Sequence, residues 1–261
     1  MKNEIIRNSD TCCENRIIFI CEDTIDGLFT AIYKAWERGT SGTGIEVKGF
    51  QVMRLFCEYE VVKTDAVLAA KVADSIRKKI SNEVYNYVFQ AALSDCSDKG
   101  QYIYEFLQKA FRIGPDIVNM LSDDTVMQIF EITRKVRNES HKYLGFVRFE
   151  ELENGVLASR IDPKANVIPM IADHFGDRLH NENWIILDTN RRFAAIHRSG
   201  HGYILSDGIT EEDLAMFSSK SENEEKFRAL WQCFFDTIAI GERKNRNLQR
   251  QMMPLRYRRY M

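Results

Sequence analysis

The apolar residues of this chain change period near residue 145. From Thr64 to about Leu144 they recur at helical spacing, and from Gly145 they alternate. The first stretch predicts helices over Thr64–Ile80, Glu83–Leu93, Lys99–Phe111 and Asp123–Leu144. Gly114 and Pro115 end the third. Asp123 and Asp124 put acid at the start of the fourth, where the helix dipole favours it. In the second stretch, "GFVRFEELENGVLASRID" predicts a hairpin turning at Asn154-Gly155, a pair that suits a type I′ turn. Pro169 suits the first turn of a helix reaching about Leu179. "WIILD", "RFAAIHR" and "GYILSD" predict three more strands, and a closing helix is expected from near Ser221 to about Arg243.

Ahead of these, "RIIFICE" reads as a buried strand followed by a helix from Asp23 or Thr24 to Gly39. "GTSGTG" reads as a flexible turn region, and Phe50–Val62 as extended. The expected class is α+β: a helical N-terminal half, an antiparallel sheet of about five strands with an inserted helix, then a closing C-terminal helix and basic tail. A boundary near residue 122 would give an N-terminal strand plus helices (16–122) and a sheet-bearing part (123–261). No Pro/Ser-rich linker marks it, so one continuous domain is the alternative. No strand–helix alternation of the doubly wound kind is apparent.

Composition narrows the function classes. Of 261 residues, 44% are apolar and 28% charged, as in ordinary globular proteins. No apolar run approaches the ~20 residues of a membrane span. The N-terminus is polar and has no secretory h-region, so a cytoplasmic protein is expected. The six cysteines include the adjacent Cys12 and Cys13 but no CxxC pair. A zinc ribbon, an iron–sulfur cluster or a radical-SAM core needs closely spaced thiolates, so reduced structural thiols and no cofactor are expected. The glycines of "GTSGTG" lack the lysine of a P-loop and the Rossmann spacing. His197 and His201 would need a strand-turn geometry to converge on a metal, and none is expected there.

Two helices each offer arginine and histidine four residues apart: Arg137 with His141, and His174 with Arg178. Such pairs share a helix flank. Guanidinium and imidazole together suit a phosphate or carboxylate. A solvated flank is the bland alternative. Asp188 ends a strand where a turn wants a side-chain acceptor, and a bridge from Asp188 to Arg192 across that turn is expected. His174, His141 and Asp188 are the candidates for acid/base work, with Arg137, His141, His174, Arg178 and Arg192 as anion or nucleotide ligands.

Charge is uneven. The net formal charge is −2, yet residues 243–261 hold seven cations and no acid. These are Arg243, Lys244, Arg246, Arg250, Arg256, Arg258 and Arg259, with Tyr257 and Tyr260 interleaved. Cations with aromatic rings suit a nucleic-acid backbone plus stacked bases. A solvated helix end is the alternative.

"HKYLGFVRFEEL.NGVLASRIDP", "VIPMIADHFGDRL...NWIILDTNRRFAAIH" and "RNLQRQMMPLRYRRYM" together resemble a bacterial DNA-metabolism family. That family is a domain of unknown function, typically encoded beside a radical-SAM protein that carries a helix-hairpin-helix. Some members are fused to a uracil-DNA glycosylase domain. The matching positions include Arg137, Glu139, His141, Arg148, Pro163, His174, Arg178, Trp184, Asp188, Arg192, Asn247, Gln249, Pro254 and Tyr257. Leu187 stands where the family often has an aromatic. The resemblance implies a role in DNA repair or modification with a radical-SAM partner. Three functions follow as expectations: an accessory component that binds DNA through the tail, an enzyme acting on a DNA base or phosphodiester, or a protein–protein adaptor.

Overall fold

The computed structural model describes residues 16–50, 54–217, 221–238 and 245–260. Contacts divide the chain into two compact units, the first ending at Val136 and the second starting at Arg137. The α+β architecture is the one the sequence predicts.

In the first unit the isoleucine-rich run forms β1 (Arg16–Cys21), with Ile18, Phe19 and Cys21 buried. The Thr24 side chain accepts from the Gly27 amide at 3.0 Å and starts α1 (Ile25–Arg38). Gly39, at φ +107°, ends it in a conformation that glycine adopts without strain. The chain then returns as β2 (Thr43–Val47), and β3 (Cys57–Val61) lies on the other side of β1. Both neighbours run parallel to β1. This corrects two expectations: part of "GTSGTG" is strand, and a strand–helix–strand crossover is present. The hydroxyl of Thr43 is buried against that of Tyr104 at 2.7 Å, which gives the polar strand residue its partner.

The predicted helices follow as α2 (Ala66–Lys79), α3 (Asn82–Ala92), α4 (Lys99–Ile113) and α5 (Asp124–Phe146). Ile32, Val72, Ile76, Val88, Ile103, Phe106 and Ile129 are buried in one core with β1 and β2. Lys99 is buried as well. Its ammonium donates to the carbonyls of Ala92 and Ser94, at 2.9 and 2.8 Å, and pairs with Asp23. Two otherwise orphaned carbonyls at the end of α3 are thereby satisfied.

The second unit holds five strands: β4 (Glu150–Glu151), β5 (Leu157–Ile161), β6 (Trp184–Asp188), β7 (Phe193–His197) and β8 (Tyr203–Ser206), paired in chain order. Three pairings are antiparallel, but β5 and β6 are parallel. The cause is the inserted helix α6 (Ile168–Arg178), which carries the chain back to the starting end of the sheet. Pro169 occupies its first turn, as expected. The hairpin turn also differs from expectation. Gly155 donates to the Leu152 carbonyl at 2.9 Å and is itself at φ +76°, whereas Asn154 is not at positive φ. This is a turn followed by a left-handed glycine bulge rather than type I′, so the strands pair through one extra residue.

On one face of this sheet Trp184 stacks on the buried His197, with ring centroids 5.1 Å apart and planes at 4°. Phe149 and Phe175 close the same cluster. After α7 (Glu211–Met216), α8 (Glu222–Ile238) starts where the Ser221 amide meets the Glu151 carbonyl at 3.0 Å. Among the described residues no core covers this helix. Phe227, Leu230, Trp231, Phe234, Phe235 and Ile238 are all more than half exposed. Then α9 (Arg246–Met252) leads into a short 3-10 turn at Leu255–Arg258.

Candidate nucleic-acid interface

The basic tail is bound to the second unit by its own aromatic and charged residues. Tyr257 is buried, with its ring 5.1 Å from that of Tyr143 and 5.2 Å from that of Phe146. Burial first, and the neighbouring Glu139 second, hold the Tyr143 and Tyr257 phenols above their ordinary pKa, so both stay neutral. Arg256 lies over the Tyr257 ring at 4.5 Å and pairs with Glu139 at 3.2 Å. Glu139 is itself buried, and its two oxygens accept from the amides of Lys164 and Ala165 at 3.1 and 2.9 Å. A buried carboxylate with three donors has its desolvation offset.

The rest of the tail continues the pattern. Arg258 donates to the carbonyls of Gln249 and Met253, each at 3.1 Å, and so caps the end of α9. Arg259 pairs with Asp162 at 3.1 Å. Guanidiniums of Arg160 and Arg259 lie 5.4 and 5.2 Å from the Tyr260 ring. The Tyr260 hydroxyl meets that of Thr189 at 3.3 Å. Between Tyr143, Arg160, Arg256, Tyr257 and Tyr260 the crevice measures only about 10 Å³. That is room for about one water, not for a flipped nucleotide.

Of the seven tail cations, Arg243 and Lys244 lie outside the described residues. Arg256, Arg258 and Arg259 are engaged as above. Arg246 and Arg250, four residues apart on α9, are exposed. Over the described tail, 245–260, there are five arginines and no acid. Lys164 and Arg148 are exposed elsewhere in the same unit.

The other candidates sit as follows. Arg137 and His141 are exposed on α5, and His174 and Arg178 are exposed on α6. The His174 imidazole meets the Phe175 ring edge-on at 5.2 Å. Asp188 is completely buried. Its Oδ1 accepts from the amides of Asn190 and Arg191 at 2.9 and 3.2 Å, the Asx turn that its position at the strand end predicts. Its Oδ2 pairs with Arg191 at 2.9 Å, not with Arg192. This corrects the expected Asp188–Arg192 bridge. Arg192 is at φ +51° and pairs with Glu211 instead. Burial raises the Asp188 carboxyl above its ordinary pKa, and Arg191 offsets part of that rise. Arg191 also donates to the carbonyls of Pro163 and Lys164. Glu139 directly, and Asp188 through Arg191, thus grip the same loop, residues 163–165, from two directions. His197 and His201 each use Nδ1 on a backbone carbonyl, of Glu182 and Ser199 respectively, at 2.9 Å.

Glu139 escaped the sequence reading as a structural centre, although a signal was available. Ile129, Ile132, Val136, Glu139 and Tyr143 step by three and four and are all buried, so Glu139 occupies the apolar stripe of its helix. A carboxylate in that register requires a partner.

A comparison with curated proteins finds no match. Among solved structures, a DHH-domain protein described as belonging to a family of ribosomal proteins is similar at 13% identity and a TM-score of 0.34, over 79% of this chain and 88% of that one. That likeness carries no argument. No helix among the described residues is long and apolar enough to cross a membrane. The family model of the domain of unknown function DUF4130 matches residues 97–261, and the chain therefore belongs to that family.

Proposed function

We propose that the chain is an accessory DNA-binding component of a repair or modification system that works with a radical-SAM partner. The observation that carries this reading is the acid-free tail, which is held against the rest of the second unit while Arg246 and Arg250 are exposed on α9. Fixed cations lose less freedom on meeting phosphates than cations on a loose tail would. Arg259, 64% exposed beside the half-buried Tyr260, adds a ring and a guanidinium on which a base can stack. The crevice is too small for an extruded nucleotide, so the reading is of a surface that tracks the backbone. An electrophoretic series of the full chain against single- and double-stranded DNA in rising salt tests it. Binding at low salt that weakens steeply is expected. No affinity at low salt, with or without the partner, overturns it.

A second reading, an adaptor for the same partner, is favoured by α8. Its six exposed apolar side chains follow i, i+3, i+4, i+7, i+8, i+11, a stripe that ordinarily faces a core. On this reading the radical-SAM protein covers the stripe. Trp231→Glu with Phe234→Glu then abolishes copurification of the two proteins while the circular dichroism stays unchanged. Undiminished copurification rejects the stripe as the dock.

An enzymatic role gains least. Both oxygens of Asp188 are committed to its turn and to Arg191, and His141 and His174 are exposed on their helices.

A further inference from the structure

The first unit contains a cleft of about 470 Å³ between α1, α2 and α4. Its size falls in the ~300–1,000 Å³ range of small-molecule sites. Three aromatic rings line it: Tyr33 and Trp36 from α1, and Phe111 from α4. Trp36 and Phe111 meet edge to face at 5.0 Å. Three cations line it as well: Lys71 and Lys79 from α2, and Arg112 from α4. Lys71 and Lys79 are eight residues apart, with Ser75 midway on the same helix stripe. Among the described residues, no aspartate or glutamate lines the cleft. All three cations are exposed; among the described residues none of them forms an ion pair, and the Lys71 ammonium lies 6.0 Å from the centre of the Tyr33 ring.

This combination is selective. An apolar ligand would leave the cations unused, and a bare anion would leave the ring-lined wall uncovered. A ligand with a flat aromatic system and a phosphate satisfies both, with the ring against Trp36, Tyr33 and Phe111 and the phosphate at Lys71, Lys79 and Arg112. We infer that the cleft is a nucleotide site, taking a base and its phosphate. The shared chemistry is a nucleoside monophosphate, either free or at the phosphorylated end of a single strand. The cleft lies wholly in the first unit, and no residue of the tail lines it.

Tryptophan fluorescence of the full chain, with calorimetry in parallel, tests the site against four probes: a nucleoside 5′-monophosphate, the matching nucleoside, inorganic phosphate, and a 5′-phosphorylated oligonucleotide of a few residues. The mononucleotide or the oligonucleotide is expected to quench the emission and to bind at least tenfold more tightly than nucleoside or phosphate. Tight mononucleotide binding assigns a free nucleotide, and tight oligonucleotide binding alone assigns a strand end. Lys71→Glu with Lys79→Glu, both at exposed positions, is expected to weaken binding by more than tenfold. Trp36→Phe should remove the quenching while calorimetric binding persists. The inference is overturned if neither nucleotide probe binds at millimolar concentration, if phosphate binds as tightly as the nucleotide, or if the double charge reversal leaves affinity unchanged. Variants of Arg246 and Arg250 should leave mononucleotide binding unaltered, which separates this result from any failure of the DNA reading.

Discussion

Glu139, in the middle of a helix, holds Arg256, five residues from the chain's last residue, at 3.2 Å while both of its oxygens accept amides of the Lys164–Ala165 loop. One buried carboxylate therefore ties a helix, a loop and the basic tail together. Glu139→Ala would leave two amides and a half-buried guanidinium without their acceptor. The expected cost is about 2–3 kcal/mol. Thermal unfolding measures that cost. Trypsin gives a second readout, because release of the tail should speed cleavage after Arg256, Arg258 and Arg259. Unchanged cleavage would mean that the Tyr257 ring contacts and the Arg259–Asp162 pair hold the tail without Glu139.

Asp188 gives a pH signature. Its folded pKa is raised by burial, so the folded chain binds the proton more tightly than the unfolded chain. That contribution is fully present below the ordinary carboxylate pKa and is lost as pH rises through the folded value. Asp188→Asn keeps an acceptor for the turn amides and abolishes the titration. The stability advantage of the parent chain over Asp188→Asn should shrink as pH rises from the ordinary carboxylate range, about pH 4, toward neutrality in differential scanning fluorimetry. An advantage that grows over that range would show that the Arg191 pair outweighs burial.

Asp123 should behave in the opposite sense. Hydrogen bonds from Lys109 hold its carboxyl below the ordinary value, and its Oδ1 also accepts from the amides of Thr125 and Val126 at the start of α5. Its contribution is present at neutral pH and is lost as pH falls through the lowered pKa. Asp123→Ala should cost about 1–2 kcal/mol at neutral pH, and the penalty should fade as the solution is acidified below the ordinary carboxylate range. Urea titrations at neutral and acidic pH check this.

Cysteine reactivity should divide by burial. The Cys21 thiol is pushed up to about 12, chiefly by burial, while Cys233 is exposed on α8. Iodoacetamide labelling at mildly alkaline pH, read by peptide mass spectrometry, should modify Cys233 within minutes and Cys21 only on unfolding. Early labelling of Cys21 would mean that β1 opens locally.

The change of period near residue 145 separates the run of helices α2 to α5 from the five-stranded sheet that follows, because burial on one face leaves its spacing in the sequence. Strand direction leaves no such mark. The alternation in β5 and β6 reads the same whether the pair runs parallel or antiparallel, so the effect of the α6 crossover was not visible. Turn chemistry was half legible. Asp188 announced an Asx turn, but whether its Oδ2 would reach Arg191 or Arg192 depended on the left-handed conformation at Arg192. The seven-cation tail was plain as a charge run. The acceptors and rings that bind it, Glu139, Asp162 and Tyr143, are scattered over separate elements, and only the fold brings them to it. In α8 the apolar residues recur at helical spacing, yet Trp231 is 65% exposed. The residues that would cover such a stripe are not encoded in its period.

The central claim is that exposed arginines of the tail contact DNA phosphates. The log–log salt dependence of duplex binding, measured by fluorescence anisotropy, tests it most directly. Replacing Arg246 and Arg250 with alanine removes two phosphate contacts, so the slope should become shallower by about 2 at about −0.9 per contact. Affinity should fall with it, while thermal stability stays unchanged because both side chains are exposed. A duplex affinity and slope identical to those of the parent chain would contradict the account.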